Sequence, residues 1–197
     1  MIAIIDNGGA NIASVEFALE RLGARSVLTD DVNIILSADK VVLPGVGAAP
    51  AAMQRLANSG LIDCIRTLQQ PVLGICLGMQ LLFSRSAEGD TPLLGMFDAT
   101  CAAFTPTPKR SVPHVGWNQL VFREEHPLLA GVDNGAHVYF VHSYFAPVTT
   151  QTIAKCAYGD DFTAIVSENN FMGCQFHPER SGLVGARILQ NFLEMTG

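Results

Sequence analysis

The sequence is short of positive charge: 12 Lys and Arg stand against 18 Asp and Glu, for a formal charge of −6. No basic cluster exceeds Lys109-Arg110. Such a chain repels a phosphate backbone, which argues against nucleic acid as a partner. It also lacks any apolar run approaching the roughly 20 residues that a bilayer-spanning helix needs, so no membrane is expected. The opening Met1 to Ile5 carries no basic n-region and its apolar run is too short for a secretory signal, which points to the cytoplasm. The five cysteines (Cys64, Cys76, Cys101, Cys156, Cys174) are odd in number and include no C-x-x-C pair. No two histidines stand at H-x-x-x-H spacing. Disulfide frameworks, redox centres and zinc sites therefore have no support, and neither metal nor cofactor is expected. Most of the cysteines should be reduced, buried, small hydrophobes, with Cys76 the exception.

What the sequence does contain is core material. A chain of 197 residues with 49% hydrophobic composition can bury roughly 70% of the surface its unfolded form exposes, and a single domain over residues 1–197 is expected. Short β-branched runs alternate with segments of helical period, the pattern of an α/β fold. The layers should be three, a central and mostly parallel mixed sheet flanked by helices. Ile2 to Ile5 reads as a buried strand. Ile12, Val15, Leu19 and Leu22 recur at helical spacing before Gly23, a C-terminal cap. Val41 to Leu43 is a strand, Ala48 to Leu56 and Leu61 to Leu68 are helical, Pro71 to Ile75 is a strand, and Leu77 to Phe83 a helix. Residues 88–113, rich in Thr, Pro and Gly, read as loops with at most short strands. Beyond them Gln119 to Phe122, His137 to Val141, Thr152 to Ala157, Phe162 to Val166 and Phe171 to Phe176 read as an antiparallel or mixed extension of the sheet, and Leu183 to Leu193 as a closing helix.

Chemistry is concentrated in turns. Gly74-Ile75-Cys76-Leu77-Gly78 has the G-x-nucleophile-x-G form, in which flanking glycines permit a sharp strand-to-helix elbow. A cysteine there sits at a helix N-terminus, where the partial positive charge favours the thiolate and the Leu77 N–H faces a forming oxyanion. A cysteine nucleophile needs a base, and the base an orienting group. His177-Pro178-Glu179 offers both: in extended chain, residues i and i+2 project to one side, so Glu179 can fix the imidazole. Pro44-Gly45-Val46-Gly47 follows a strand and is either a plain turn or the source of a second oxyanion donor, the Val46 N–H, whose peptide two glycines leave free to flip. Gln80, at i+4 from Cys76, is either solvent-facing or placed to hold a polar substrate. The other histidines (His114, His126, His137, His142) read as structural.

Together Pro44-Gly45-Val46-Gly47, the run Gly74 to Gln80 and His177-Pro178-Glu179 resemble the three signatures of class I glutamine amidotransferases, and the likeness covers essentially the whole chain. Most members carry Pro-Gly-Gly in the first signature. Val46 departs from that and resembles one branch, whose glutaminase supplies ammonia to a (β/α)8-barrel cyclase subunit in histidine biosynthesis. Pro113 to Asn118, Tyr139 to Tyr144, and Asp6 to Asn11 followed by a helix resemble the same branch. The resemblance implies that L-glutamine is the substrate, that Cys76, His177 and Glu179 are catalytic, and that Val46 and Leu77 are the oxyanion donors. It further implies that Gly47, Gln80, Ser143 and Tyr144 position the glutamine, and that Asn11, Trp117 and Arg180 meet the partner in a heterodimer. A glutaminase of another pathway, a stand-alone cysteine γ-glutamyl hydrolase and a non-catalytic binding module are the alternatives. The first would want a second glycine at position 46, the second would turn over without a partner, and the third would have lost one of the three reactive side chains.

Overall fold

The computed structural model describes residues 1–8, 12–108 and 110–195. The chain opens with strand β1 (Ile2–Ile5), helix α1 (Ile12–Arg21), β2 (Ser26–Thr29) and α2 (Val32–Ser37). β3 (Lys40–Gly45), α3 (Ala49–Asn58), α4 (Leu61–Thr67), β4 (Val72–Cys76) and α5 (Leu77–Leu81) follow. Then come β5 (Phe83–Ser86), β6 (Thr91–Pro92), β7 (Phe97–Ala103), β8 (His114–Gln119) and β9 (Val121–Phe122). The chain ends with β10 (His137–His142), β11 (Tyr144–Phe145), β12 (Thr152–Tyr158), β13 (Asp160–Glu168), β14 (Phe171–Cys174) and α6 (Gly182–Glu194).

Among the described residues the central sheet runs β2-β1-β3-β4-β14-β13-β12-β9. Its first five strands are parallel and the last three pair antiparallel. Side chains alternate across a strand, so each inner strand feeds two cores. Ile2 and Ile4, Val42, Leu73 and Ile75 pack with Val15 and Leu19 of α1 and Ile188 and Phe192 of α6. Ala3 and Ile5, Val41 and Leu43, and Val72 pack on the other face with Ile35 of α2, Leu56 of α3 and Ile65 of α4. The three-layer α/β arrangement follows from that alternation. Gly23 ends α1 in a left-handed conformation, its N–H and that of Ala24 closing onto the carbonyls of Glu20 and Leu19.

The structure departs from the sequence reading in several places, among them Gln119 to Phe122, where Gln119 ends the unexpected β8 outside the central sheet and only Val121–Phe122 join that sheet as β9. β2 and α2 were not expected: β2 is a half-exposed edge strand, and α2 has only six residues, too few to show a period. The expected helix through Phe83 stops at Leu81, and Phe83 starts β5. Residues 88–113, read as loop, contain the seven-residue β7, whose inward Phe97 and Cys101 are fully buried. His137 to Val141 does not extend the central sheet. As β10 it pairs antiparallel with β8 in a separate ribbon, while β11-β7-β5-β6 forms a small sheet of its own.

Candidate active site

Cys76 ends β4 and precedes α5, at the carboxyl edge of the parallel strands where open α/β sheets present ligands. Its backbone takes φ 55° and ψ −111°. Of the described non-glycine residues at positive φ, the others are Asp90 and Asn169, types that tolerate that region. A cysteine held there stores on the order of 1–3 kcal/mol of strain. Packing enforces the elbow, because a Cβ on Gly78 would lie 1.8 Å from the Leu43 carbonyl oxygen and one on Gly74 2.7 Å from that of Gly78. Only bare backbone lets α5 descend so closely on β3. The Leu77 N–H, first in its helix, has no partner within the helix.

His177 and Glu179 stand on the turn after β14, the strand beside β4. His177 Nδ1 lies 2.9 Å from Glu179 Oε1, and both side chains are buried. Burial alone would discharge the imidazole. Hydrogen bonds that the imidazole donates to the Cys76 and Glu179 side chains outweigh that cost and raise the His177 pKa to about 10. The imidazole therefore carries its proton at neutral pH.

Val46, Gly47, Cys76, Leu77, Gln80, Ser143, Tyr144 and His177 line one cleft of about 360 Å³. The expected nucleophile, base, oxyanion donors and substrate contacts are thus brought together. Two larger hollows, about 690 and 440 Å³, lie elsewhere and contain no cysteine. Gln80 is 4% exposed and is not solvent-facing: its Nε2 donates to the Tyr144 carbonyl at 2.7 Å. The Ser143 carbonyl accepts from the Phe104 N–H. Gly47 adopts φ 94°, outside the range favoured by other residues.

Sequence reasoning missed two features of the site. Gln175, fully buried, donates from Nε2 to the Cys76 sulfur at 3.8 Å. It stands two residues before His177, the spacing that pointed to Glu179, and could have been found by the same rule. Glu88 brings a carboxylate to the cleft while accepting from the Ala49 N–H at the start of α3; nothing in its sequence surroundings signals this. His142 also lines the cleft. As expected of a structural histidine, it is buried and fully engaged, with Nδ1 on the Tyr144 carbonyl and Nε2 on His114.

Of the residues expected at a partner surface, Asn11 lies outside the described residues. Trp117 is 56% exposed on β8, so it is not a core aromatic. Val115 and Val141, cross-strand neighbours in the β8–β10 ribbon, are exposed beside it. Arg180 is exposed on the turn that carries His177. That turn is tied to the ribbon: the His177 N–H donates to the Tyr139 carbonyl and the Tyr139 N–H to Ser181 Oγ. All described cysteines are free and buried.

Comparison with known proteins agrees with this geometry. The family described as glutamine amidotransferase class-I matches residues 3–195. Imidazole glycerol phosphate synthase subunit HisH of Xylella fastidiosa is 54% identical over 194 residues, covering 98% of this chain and 97% of that protein. The subunit of the same name from Xanthomonas euvesicatoria is 53% identical over 195 residues, with coverage of 99% and 98%. Among solved structures, a glutamine amidotransferase superposes with TM-score 0.75 at 18% identity, covering 98% of this chain and 97% of that one. PurLQS from Thermotoga maritima gives TM-score 0.69 at 18% identity, with coverage of 98% and 96%. At that identity the structures speak for the fold, while the family match and the close relatives speak for descent: the chain belongs to the class I glutamine amidotransferases.

Proposed function

We propose that this chain is the glutaminase subunit of an imidazole glycerol phosphate synthase, hydrolysing L-glutamine and passing ammonia to a (β/α)8-barrel cyclase in histidine biosynthesis. The observation that carries the reading is Cys76, strained at a strand-to-helix elbow, in one cleft with an imidazole that Glu179 orients. The near full-length relatives bear that subunit's name.

In the proposed reaction the Cys76 sulfur attacks the side-chain carboxamide carbon, and the charge collecting on oxygen meets the N–H groups of Leu77 and Val46. His177 gives its proton to the departing nitrogen as the C–N bond breaks, leaving ammonia and a γ-glutamyl thioester. The neutral imidazole then takes a proton from water, whose oxygen attacks the thioester. The C–S bond breaks, glutamate leaves, and the sulfur and His177 return to their starting state. Glu179 keeps the imidazole in the required tautomer. Glu88, a carboxylate on the cleft wall, is complementary to the α-ammonium of an amino acid substrate. Gln80, Gly47, Ser143 and Tyr144 complete the pocket, with no metal or cofactor called for.

The exposed apolar strip of Trp117, Val115 and Val141 borders the cleft. It suits a surface that docks against the cyclase, with Arg180 alongside and Asn11 assigned to the same contact. Docking also protects the product, since ammonia released into water at neutral pH is largely protonated and no longer nucleophilic. A peptide between Gly45 and Val46 that flips on docking would leave the free subunit nearly idle. Losing one oxyanion donor costs roughly a hundredfold or more in rate.

The test is glutamate release by the purified chain, alone and with the cyclase and its nucleotide ligand. Strong stimulation by both is expected, and full activity in the isolated chain would refute the peptide switch. Cys76→Ala should abolish glutamine-dependent synthesis by the complex and leave synthesis from added ammonium salts intact. Retained glutamine use in that variant would sink the assignment.

A further inference from the structure

Seven residues are joined by an unbroken run of hydrogen bonds from the reactive sulfur to the outer ribbon, and main-chain carbonyls fix the direction of each bond. A carbonyl oxygen only accepts. The Gln80 atom 2.7 Å from the Tyr144 carbonyl is therefore Nε2. The same Nε2 lies 2.9 Å from the Gln175 amide, so the Gln175 atom facing it is Oε1. Gln175 is thereby obliged to turn its remaining group, Nε2–H, on the Cys76 sulfur 3.8 Å away. With both Nε2 hydrogens engaged, the polar atom Gln80 can offer the cleft is Oε1, an acceptor suited to a substrate N–H.

The same carbonyl sets the histidines. His142 Nδ1, 2.8 Å from Tyr144 O, carries the proton. His142 Nε2 then accepts, so His114 Nδ1, 2.9 Å away, donates. His114 Nε2 accepts in turn from Asn118 Nδ2 at 3.4 Å. Asn118 is fixed independently, because Nδ2 also donates to the Ala157 carbonyl at 2.9 Å, and the two ends of the run agree. Gln80, His114, His142 and Gln175 are all buried. Burial lowers the pKa of His114 to about 4 and of His142 to about 3, so neither ring acquires a second N–H that would break the order.

We propose that this network positions the nucleophile: Gln175 holds the Cys76 sulfur through a donated N–H, and His142 holds the Tyr144 carbonyl, which fixes Gln80 and through it keeps that N–H turned the right way. The proposal rests on the reading of Cys76 as the nucleophile. A bond donated to sulfur strengthens when the sulfur bears charge, and hydrogen bonds to charged groups are the stronger class. The pair His114–His142 is a positioning element and takes no part in proton transfer.

Gln175→Met keeps the volume and removes both the donor to sulfur and the Oε1 that accepts from Gln80, whose Nε2 keeps its bond to the Tyr144 carbonyl. In the complex it should lower kcat for glutamine hydrolysis about ten- to a hundredfold, as expected for loss of a hydrogen bond to a charged group. KM should stay within about threefold, because the lost contact is to the enzyme's sulfur and not to bound glutamine. Iodoacetamide alkylation of Cys76 at fixed pH, read against Cys76→Ala as background, should slow in the same variant. Wild-type kcat and alkylation rate in Gln175→Met would overturn the proposal. Long-range 15N NMR of the unmutated chain tests it without any variant: both imidazoles should carry the proton on Nδ1, and Nε2–H on either ring would overturn it. Glutamine hydrolysis surviving in Cys76→Ala would instead remove the reading beneath it, a separate result.

Discussion

His177 holds its charge against the cost of burial, and only its two partners make that possible. Glu179→Gln keeps the size and a hydrogen-bond acceptor but removes the negative charge. It should bring the imidazole pKa down from about 10, as an NMR titration of His177 would show. The same change should lower kcat by roughly a hundredfold or more, the usual worth of a well-placed acid or base; a wild-type rate would deny Glu179 its role. At this scale the sequence was legible where spacing implies a direction. Cys76 between flanking glycines and His177 two residues from Glu179 each declare which way their side chains point. Gln175 shares the side of His177 by that same spacing and was overlooked, while Glu88 was hidden, because what it touches is decided by a chain segment about forty residues away.

Between β3, β4 and α5 the fold leaves no room for even one methyl group. Gly78→Ala should destabilise the protein by at least the upper end of the ~1–3 kcal/mol range for overpacking, since the obstacle is backbone and cannot rotate aside. Chemical denaturation would measure this, and a loss under about 1 kcal/mol would show that α5 can shift to admit the methyl. Elements with a strong period, such as α1, α6 and the fully buried β1 and β4, could be read from sequence nearly to the residue. β2 is too exposed and α2 too short to display a pattern, while β7 alternates over seven residues and was masked by the Thr, Pro and Gly around it. Which strands formed the outer ribbon was equally hidden, because alternation shows that a strand has an inner and an outer face but not which strand lies beside it.

For the molecule as a whole the histidines pull stability in opposite directions. His114 and His142 have folded pKa values of about 4 and 3, below the unfolded value, so from about pH 6.5 downward the unfolded chain binds more protons. Each then removes up to about 1.4 kcal/mol of stability per pH unit of acidification. His177, raised to about 10, stabilises fully below about pH 6.5, and that contribution is lost as pH rises through its folded value. Denaturant midpoints should therefore peak near neutrality and fall on both sides, and Cys76→Ala should flatten the alkaline side, where its hydrogen bond to His177 is at stake. A midpoint still rising between pH 7 and 10 would contradict the His177 environment. Trp117→Asp should weaken cyclase binding at least about tenfold, measured by calorimetry, while alkylation of Cys76 in the free chain stays unchanged.

The bonds between the ribbon and the catalytic turn run largely through main chain, His177 N–H to Tyr139 O and Tyr139 N–H to Ser181 Oγ. Such a joint is indifferent to which side chains the ribbon wears outward. On the proposed docking, the residues at positions 115 and 117 could change with a partner while the His177 turn stays in place. By the same logic a protein engineer could recut that outer face for a new ammonia acceptor and leave the hydrolytic machinery as it stands.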